Sequence, residues 1–385
     1  MLHDQGKNHA EISRTLRVSR PTIIRWLEQK SYTDERGWAD GTKRSHTDIE
    51  EERIVALKQK RIGEKKYFLG TEYIQMDYAK QYPNDPLPSA WFFDEVVRKH
   101  GLQTREPKER TKGQNIVSRL KFPIKSITGL GRIHQSVDFI GKKYIHGSRD
   151  PVSLFSTSFY QWFKLFQIQR VLAEKAEYAI AYLTTFWTKF PLTNVMRMDN
   201  GTQWRGAIGA EACIGRFLIF LLNLNMTPLF SAAYQSYTNP HIEGHNRTFT
   251  DKLWSRHTFT DRNDIDRECN RFNLESQEYF FYRFKERLQK KNLKYLTSAD
   301  HIDDTVLHST KGKKICFIRF VERWKESDDQ VGMVILNRFV PVPEPYVNQY
   351  VLATLDLQSA MLRVVSEYDA VPRIIFEKSF PYSLF

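Results

Sequence analysis

A chain of 385 residues exceeds one ordinary hydrophobic core, so two to four domains are expected. Its 41% apolar and 14% aromatic content excludes a disordered chain, and its longest apolar stretch, around 217–222, reads as a buried helix too short to span a bilayer. A formal net charge of +13, with an isoelectric point near 9.4, points to a polyanionic partner, nucleic acid first. Cys213, Cys269 and Cys316 are few, far apart and odd in number, which excludes a disulfide framework and a cysteine zinc site. That usage fits a reducing compartment, and the amino end carries no secretory pattern, so a cytoplasmic, nucleoid-associated protein is expected.

Residues 1–30 carry a helix-turn-helix pattern. A first helix over 10–16 has apolar residues at helical spacing, residues 17–19 form the turn, and Ser19 is the N-cap. Pro21 sits in the first turn of the second helix, where a missing N–H costs nothing. Over 22–27 that recognition helix turns Ile23, Trp26 and Leu27 inward and leaves Arg20, Thr22 and Arg25 for DNA. An ordinary helical hairpin is the simpler alternative. There is little room for a helix ahead of Gly6, which implies a shortened module or a start further upstream.

After a charged spacer over 31–45, residues 46–102 read as a second helical DNA-binding module. Its helices cover 48–60 (capped by Thr47), 70–78 and 89–97 (capped by Ser89), although the third carries few basic residues. Residues 103–126 form a basic linker, with Arg105, Lys108, Arg110, Lys112, Arg119, Lys121 and Lys125 facing only Glu106 and Glu109. Such a segment tracks phosphates, Arg119 and Lys121 among the contacts; a plain solvated connector has the same composition.

From about 127 to 260 strand and helix alternate. Strands are expected over 132–140, 152–160, 163–171, 194–198 and 226–230, with helices over 172–189, 210–224 and 241–254. This order suits a mixed α/β sheet with helices on both faces. Residues 261–300 form a helical connector ending in a second basic run, 283–294, and 301–385 carry five short strands that suggest a small β-barrel. The fold class is therefore multidomain α+β. Trp26, Trp91, Trp187 and Trp204 are expected in cores.

Three acidic residues have distinctive settings: Asp138 in Val137-Asp-Phe-Ile-Gly141, Asp199 in Arg197-Met-Asp-Asn-Gly201, and Glu243 in Asn239-Pro-His-Ile-Glu-Gly-His-Asn-Arg247. Separations of 61 and 44 positions rule out a local loop, so only a fold can gather them. Asp138 on a strand, Asp199 just past a neighbouring parallel strand and Glu243 on a following helix would meet at the carboxyl end of the sheet. Hard oxygen ligands so arranged suit Mg²⁺ or Mn²⁺, and a metal pair suits phosphodiester chemistry. Without cations the three charges oppose one another, so a metal-free site should be partly protonated. Taken singly, each is an ordinary surface or capping residue, and Asp199-Asn-Gly alone is a tight turn. His241 and His245 have a zinc-ligand spacing, but Glu243 sits two residues after His241, unlike the immediate Glu of a metalloprotease helix.

These motifs resemble the catalytic core shared by retroviral integrases and bacterial insertion-sequence transposases, the DDE superfamily with an RNase H-like fold. The likeness covers most of the chain, since the amino-terminal helices and carboxy-terminal strands are similar to the same transposases. It implies a metal-dependent polynucleotidyl transferase: Asp138 would bridge two Mg²⁺ (or Mn²⁺) ions, with Asp199 and Glu243 each completing one site. Hydrolysis would free a 3′-hydroxyl at each element end, and that hydroxyl would attack target DNA. It also implies double-stranded DNA partners, a homo-oligomer on DNA, a phosphate contact from Arg247, and support from Asn239 and Asn246. Departures are present. The gap from Asp199 to Glu243 is long, which suggests an insertion near 206–213. Pro240 and Gly244 are atypical, Gln203-Trp204 replaces an acidic–aromatic pair, and the later basic position falls at Thr250, with Lys252 its nearest substitute. A non-catalytic DNA-binding regulator and an RNase H-like nuclease without strand transfer are the alternatives.

Overall fold

In the computed structural model the described residues are 6–16, 18–28, 46–104, 122–206, 211–233, 235, 238–290, 292–298, 300–324, 330–369 and 371–384. The chain divides into two units, 1–53 and 54–385. In the first, α1 (His9–Leu16) and α2 (Arg20–Glu28) bury Ile12 and Ile23. Asn8 and Glu11 cap α1 reciprocally, and the Ser19 hydroxyl accepts from the Thr22 N–H at 3.4 Å. Trp26 and Leu27 are not inward as expected: they are 47% and 41% exposed. Two helices this short offer each other partner surface for little more than one isoleucine apiece.

α3 (Asp48–Gly63) starts on a Thr47–Glu50 capping box. With α4 (Thr71–Gln81) and α5 (Ala90–Lys99), it builds a small core of Ile54, Leu57, Ile74, Tyr78, Phe93, Val96 and Val97. Ser89 caps α5 as expected, accepting from the Phe92 N–H at 3.3 Å. Trp91 is no core residue; it is 70% exposed. The spacer 31–45 and linker residues 105–121, including the candidates Arg119 and Lys121, lie outside the described residues.

After α6 (Ile124–Thr128), β1 (His134–Tyr144), β2 (Pro151–Phe159) and β3 (Leu165–Val171) form an antiparallel meander. α7 (Ala176–Lys189) leads to β4 (Val195–Met198), which pairs parallel with β1. α8 (Thr202–Arg205), β5 (Cys213–Ile214) and α9 (Arg216–Asn223) precede β6 (Thr227–Phe230), parallel to β4. α10 (Pro240–Phe249) runs into a π-type turn, Thr250–Trp254, followed by α11 (Arg262–Arg283) and α12 (Lys285–Leu288). Trp187, Leu183 and Phe220 from α7 and α9 bury one sheet face; Ile242, Phe249 and Phe272 from α10 and α11 cover Leu154, Phe166 and Ile168 on the other.

Two expected helices are shorter than the apolar pattern suggests. The one over 172–189 begins at Ala176, after an exposed Leu172. The one over 210–224 begins only at Arg216 because the chain doubles back: a Cβ on Gly215 would lie 2.5 Å from the Gly206 Cα, and Gly206 has φ +131°. Within the helical connector expected over 261–300, helix is observed as far as Leu288.

The carboxy-terminal strands are β7 (Lys314–Phe320), β8 (Glu322–Trp324), β9 (Gln330–Ile335), β10 (Arg338–Pro341), β11 (Tyr350–Asp356), β12 (Met361–Ser366), β13 (Arg373–Ser379) and β14 (Ser383–Leu384). They are not the separate barrel expected for 301–385. β7 pairs parallel with β6 through Leu229↔Cys316 and Phe230↔Phe317, so one open sheet runs β13-β12-β11-β7-β6-β4-β1-β2-β3. β8, β9 and β10 form a three-stranded sheet, and β14 pairs with β5. The cause is the β6 edge: an apolar strand with unpaired backbone groups needs a cover, and β7 supplies it. Among the described residues no helix is long and apolar enough to cross a membrane.

The segment 64–69 is fastened to α11 by buried charge. Glu275 accepts from the Tyr67 N–H at 3.0 Å and the Phe68 N–H at 3.2 Å, Tyr67 OH donates to Glu268, and Arg271 donates to the Glu64 and Lys65 carbonyls. Glu275→Ala would strand two backbone donors, so a loss of about 2–4 kcal/mol is expected in urea unfolding, with faster proteolysis at 64–69. A loss below about 0.5 kcal/mol would show the clasp to be incidental.

Candidate functional site

The parallel register builds the site. Ser136 lies opposite Arg197, so two residues further on Asp138 is level with Asp199 at the carboxyl end of β4. Adjacent strands are about 4.8 Å apart, which brings these side chains into electrostatic contact. α10 then brings Glu243 over the same end. Its start is fixed by Pro240 in the first turn and by Asn239, a buried residue whose Oδ1 accepts from the Ser136 hydroxyl at 3.0 Å. Asp138, Asp199 and Glu243 line one cavity of about 660 Å³, together with Asn200, Arg205, Ser231, Asn239 and Arg319.

Asp138 is half-buried, and its Oδ2 accepts from Asn246 Nδ2 at 2.7 Å. Asn246 Oδ1 in turn accepts from the hydroxyl of Ser156, the cross-strand partner of Asp138. Burial, then the nearby Asp199 and Glu243 charges, raise the Asp138 pKa to about 8 despite the Asn246 hydrogen bond. Asp199 Oδ1 accepts from the Gly201 N–H at 3.0 Å and from the Trp204 indole at 2.6 Å. The Asp-Asn-Gly turn is therefore both a turn and a pocket wall. Glu243 is solvent-exposed.

The donor set suits a hard divalent cation. Four carboxylates (Asp138, Asp199, Glu243 and Glu322) and neighbouring side-chain amides line the cavity, and among the described residues no histidine or cysteine does. The carboxylates stand apart from one another: among the described residues, the group whose ligand atoms all fall within 4.8 Å is His257, Asp264 and Glu268. The tighter His257–Asp264–Glu268 group is a structural network instead. The Asp264 carboxylate accepts from Thr260 and Arg267 while its backbone N–H donates to Asp261 Oδ1, and Glu268 pairs with Arg271 and Tyr67.

Among the other candidates, Asn239 and Asn246 both reach the site. Arg247 is exposed one turn after Glu243 on α10 and does not line the cavity. Lys252 departs from expectation: the π-type turn carries it away from the acidic cavity, and its ammonium sits 4.3 Å over the Phe68 ring. Arg20 and Arg25 are exposed on α2, while Thr22 is half-buried and bonded to Ser19. His241 stacks on Tyr160 and the His245 ring bonds to the Ser158 hydroxyl, so the zinc spacing is not used. Trp204 is buried as expected of a core residue, but its bond to Asp199, like the places of Asn200 and Arg319, escaped the sequence reading. Only Trp204 had a signal, an aromatic five residues past Asp199 beyond a Gly turn.

No family model and no curated protein matches the chain. Among solved structures, a chain from the cryo-EM structure of the simian T-cell lymphotropic virus intasome in complex with PP2A regulatory subunit B56 gamma is similar at 11% identity. The match covers 76% of this chain and 92% of that one, with a TM-score of 0.32.

Proposed function

We propose that the chain is a metal-dependent polynucleotidyl transferase of the DDE type that cleaves DNA to free a 3′-hydroxyl and joins that hydroxyl to target DNA. The observation that carries this reading is the convergence of Asp138, Asp199 and Glu243, from three distant segments, on one cavity at the carboxyl end of a parallel strand pair. The strand order β3-β2-β1-β4-β6, antiparallel and then parallel, supports an RNase H-like core. Asp138 would hold two Mg²⁺ or Mn²⁺ ions jointly with Asp199 and Glu243, and the bound ions would neutralise charge on the reacting phosphate. The protein's own part is orientation. Asn246 aims Asp138, Trp204 and Gly201 aim Asp199, and Asn239 ties the Glu243 helix to β1.

Double-stranded DNA is the partner this reading requires, and a homo-oligomer would hold two element ends together. Arg20 and Arg25 face solvent on α2. A second basic surface lies at the end of α11 and beyond, where Arg283, Lys285, Arg287, Lys290 and Lys294 are exposed; Arg287 donates to the Trp162 carbonyl and Lys290 sits over the Trp162 ring. Neutralising Arg287 and Lys290 together should flatten the salt dependence of duplex binding by about two log–log units, measured by anisotropy across a salt series. An unchanged slope would remove this surface from the DNA path.

The decisive assay supplies labelled element-end DNA, target DNA and Mg²⁺ to the purified chain. Joined product is expected from the wild type, none in EDTA and none from Glu243→Gln, whose duplex affinity should stay within about threefold. Freed 3′ ends without joined product would instead indicate a nuclease, and joining by Glu243→Gln at the wild-type rate would remove Glu243 from the site.

A further inference from the structure

We propose that Arg319, on the strand that joins the carboxy-terminal sheet to the core, is a positioning residue for the acidic pocket. It would fix both the Asp199–Asn200–Gly201 turn and the segment that leads to Glu243. This inference rests on the metal-dependent reading above.

Arg319 is 5% exposed, yet it lines the cavity with Asp138, Asp199 and Glu243. Its Nη2 donates to Asn200 Oδ1 at 2.8 Å, and its Nη1 donates to the Ser231 carbonyl at 3.0 Å and to the Ile318 carbonyl at 2.8 Å. Nε donates to the Val334 carbonyl at 2.8 Å. Asn200 Nδ2 also donates to the Ser231 carbonyl at 2.7 Å, which closes a triangle of Arg319, Asn200 and Ser231. One corner is the residue after Asp199. Another opens the stretch from β6 to α10, whose far end is held by Arg197, which donates to the Ser231 hydroxyl and the Thr238 carbonyl.

All four acceptors of Arg319 are neutral, and among the described residues it forms no ion pair. Burying a cation without a counter-charge is costly, so a plain strut between β7 and β9 would be better built from apolar residues. It faces the cavity that Asp138, Asp199, Glu243 and Glu322 also line. Burial, with Arg205 nearby, lowers its pKa to about 9, which still leaves it charged at neutral pH. A planar fork with donors in fixed directions reaches four acceptors at once, and a lysine ammonium cannot.

The test uses the full-length chain as wild type, Arg319→Lys, Asn200→Ala and the double variant. Mn²⁺ affinity is measured by calorimetry, kcat and KM on element-end DNA by initial rates, and the melting temperature in EDTA. Each single variant should weaken Mn²⁺ binding by about tenfold or more and lower kcat similarly, with KM for DNA within about threefold. The double variant should be no more than about threefold worse than either single one, because both act through one turn. If Arg319→Lys does not fold, Asn200→Ala alone carries the same expectation. Wild-type Mn²⁺ affinity in the folded variants, whatever their melting temperatures, overturns the proposal, as do fully multiplicative losses in the double variant. A wild type that binds no Mn²⁺ overturns it together with the reading it rests on, and so separates the two failures.

Discussion

Asp138→Asn is expected to lower metal-dependent strand cleavage on the order of a thousandfold or more while making the metal-free protein more stable at pH 8. Both effects have one cause. In the folded chain this carboxyl sits beside Asp199 and Glu243 in a half-buried position, and its pKa rises to about 8. In the unfolded chain it returns to about 3.9. Between those values the native state binds the extra proton, so this group makes stability fall as pH rises from about 4 to about 8, after which the loss is complete. An asparagine keeps an oxygen for the Asn246 amide and offers an N–H₂ to the two remaining carboxylates. The full span has a ceiling of about 6 kcal/mol. Solvent in an open cavity reduces that to about 1–3 kcal/mol of stabilisation at pH 8, and to little at pH 4. Arg319 and Arg205, the cations lining the same cavity, are present in both chains and leave the sign unchanged. Denaturant titrations in EDTA at both pH values, repeated with Mn²⁺, check this. Metal should stabilise the wild type and not the variant, and a variant no more stable than wild type at pH 8 without metal would contradict the crowded-carboxylate account.

The acidic triad was legible in the sequence because each member sits at the end of a short apolar run or the start of a helix, and chain polarity then fixes which end of the sheet they share. Elements with periodic apolar faces were legible for the same reason: α4, α5, β1 to β4 and β6 fall close to their expected positions. What escaped depends on contacts between distant segments. The β6–β7 pairing rests on two residue pairs, and nothing in 314–320 distinguishes a strand that caps a neighbouring sheet from one that closes a barrel. Lys252 was assigned by spacing from Glu243 along one helix; the π-type turn shifts that spacing and delivers it to Phe68. Trp26 and Trp91 show that a large apolar side chain is buried only where a partner surface exists. Arg319 is 120 positions from Asp199, and a lone arginine inside an apolar strand carries no sign of what it will hold.

Trp204 joins the core to the chemistry, and two substitutions should separate its roles. The ring is fully buried, stacked 5.0 Å from Phe139 and tilted against Phe217 at 4.6 Å, while its N–H reaches Asp199 Oδ1 at 2.6 Å. Trp204→Ala leaves a large cavity between β1 and α9, and a loss of about 3–5 kcal/mol is expected whether or not metal is present. Trp204→Phe keeps a ring against Phe139 and Phe217 and deletes only the donor, costing about 1–2 kcal/mol in EDTA. Asp199 then keeps the Gly201 N–H alone and is free to rotate, so Mn²⁺ affinity should fall about tenfold or more. Because a ligand that binds only the native state adds stability according to its affinity, the gap between wild type and Trp204→Phe should widen by about 1.4 kcal/mol once Mn²⁺ is well above both dissociation constants. A gap that stays constant from EDTA to saturating Mn²⁺ would mean the indole merely fills space, and the orientation of Asp199 would have to come from Gly201 and the Asn200–Arg319 contact.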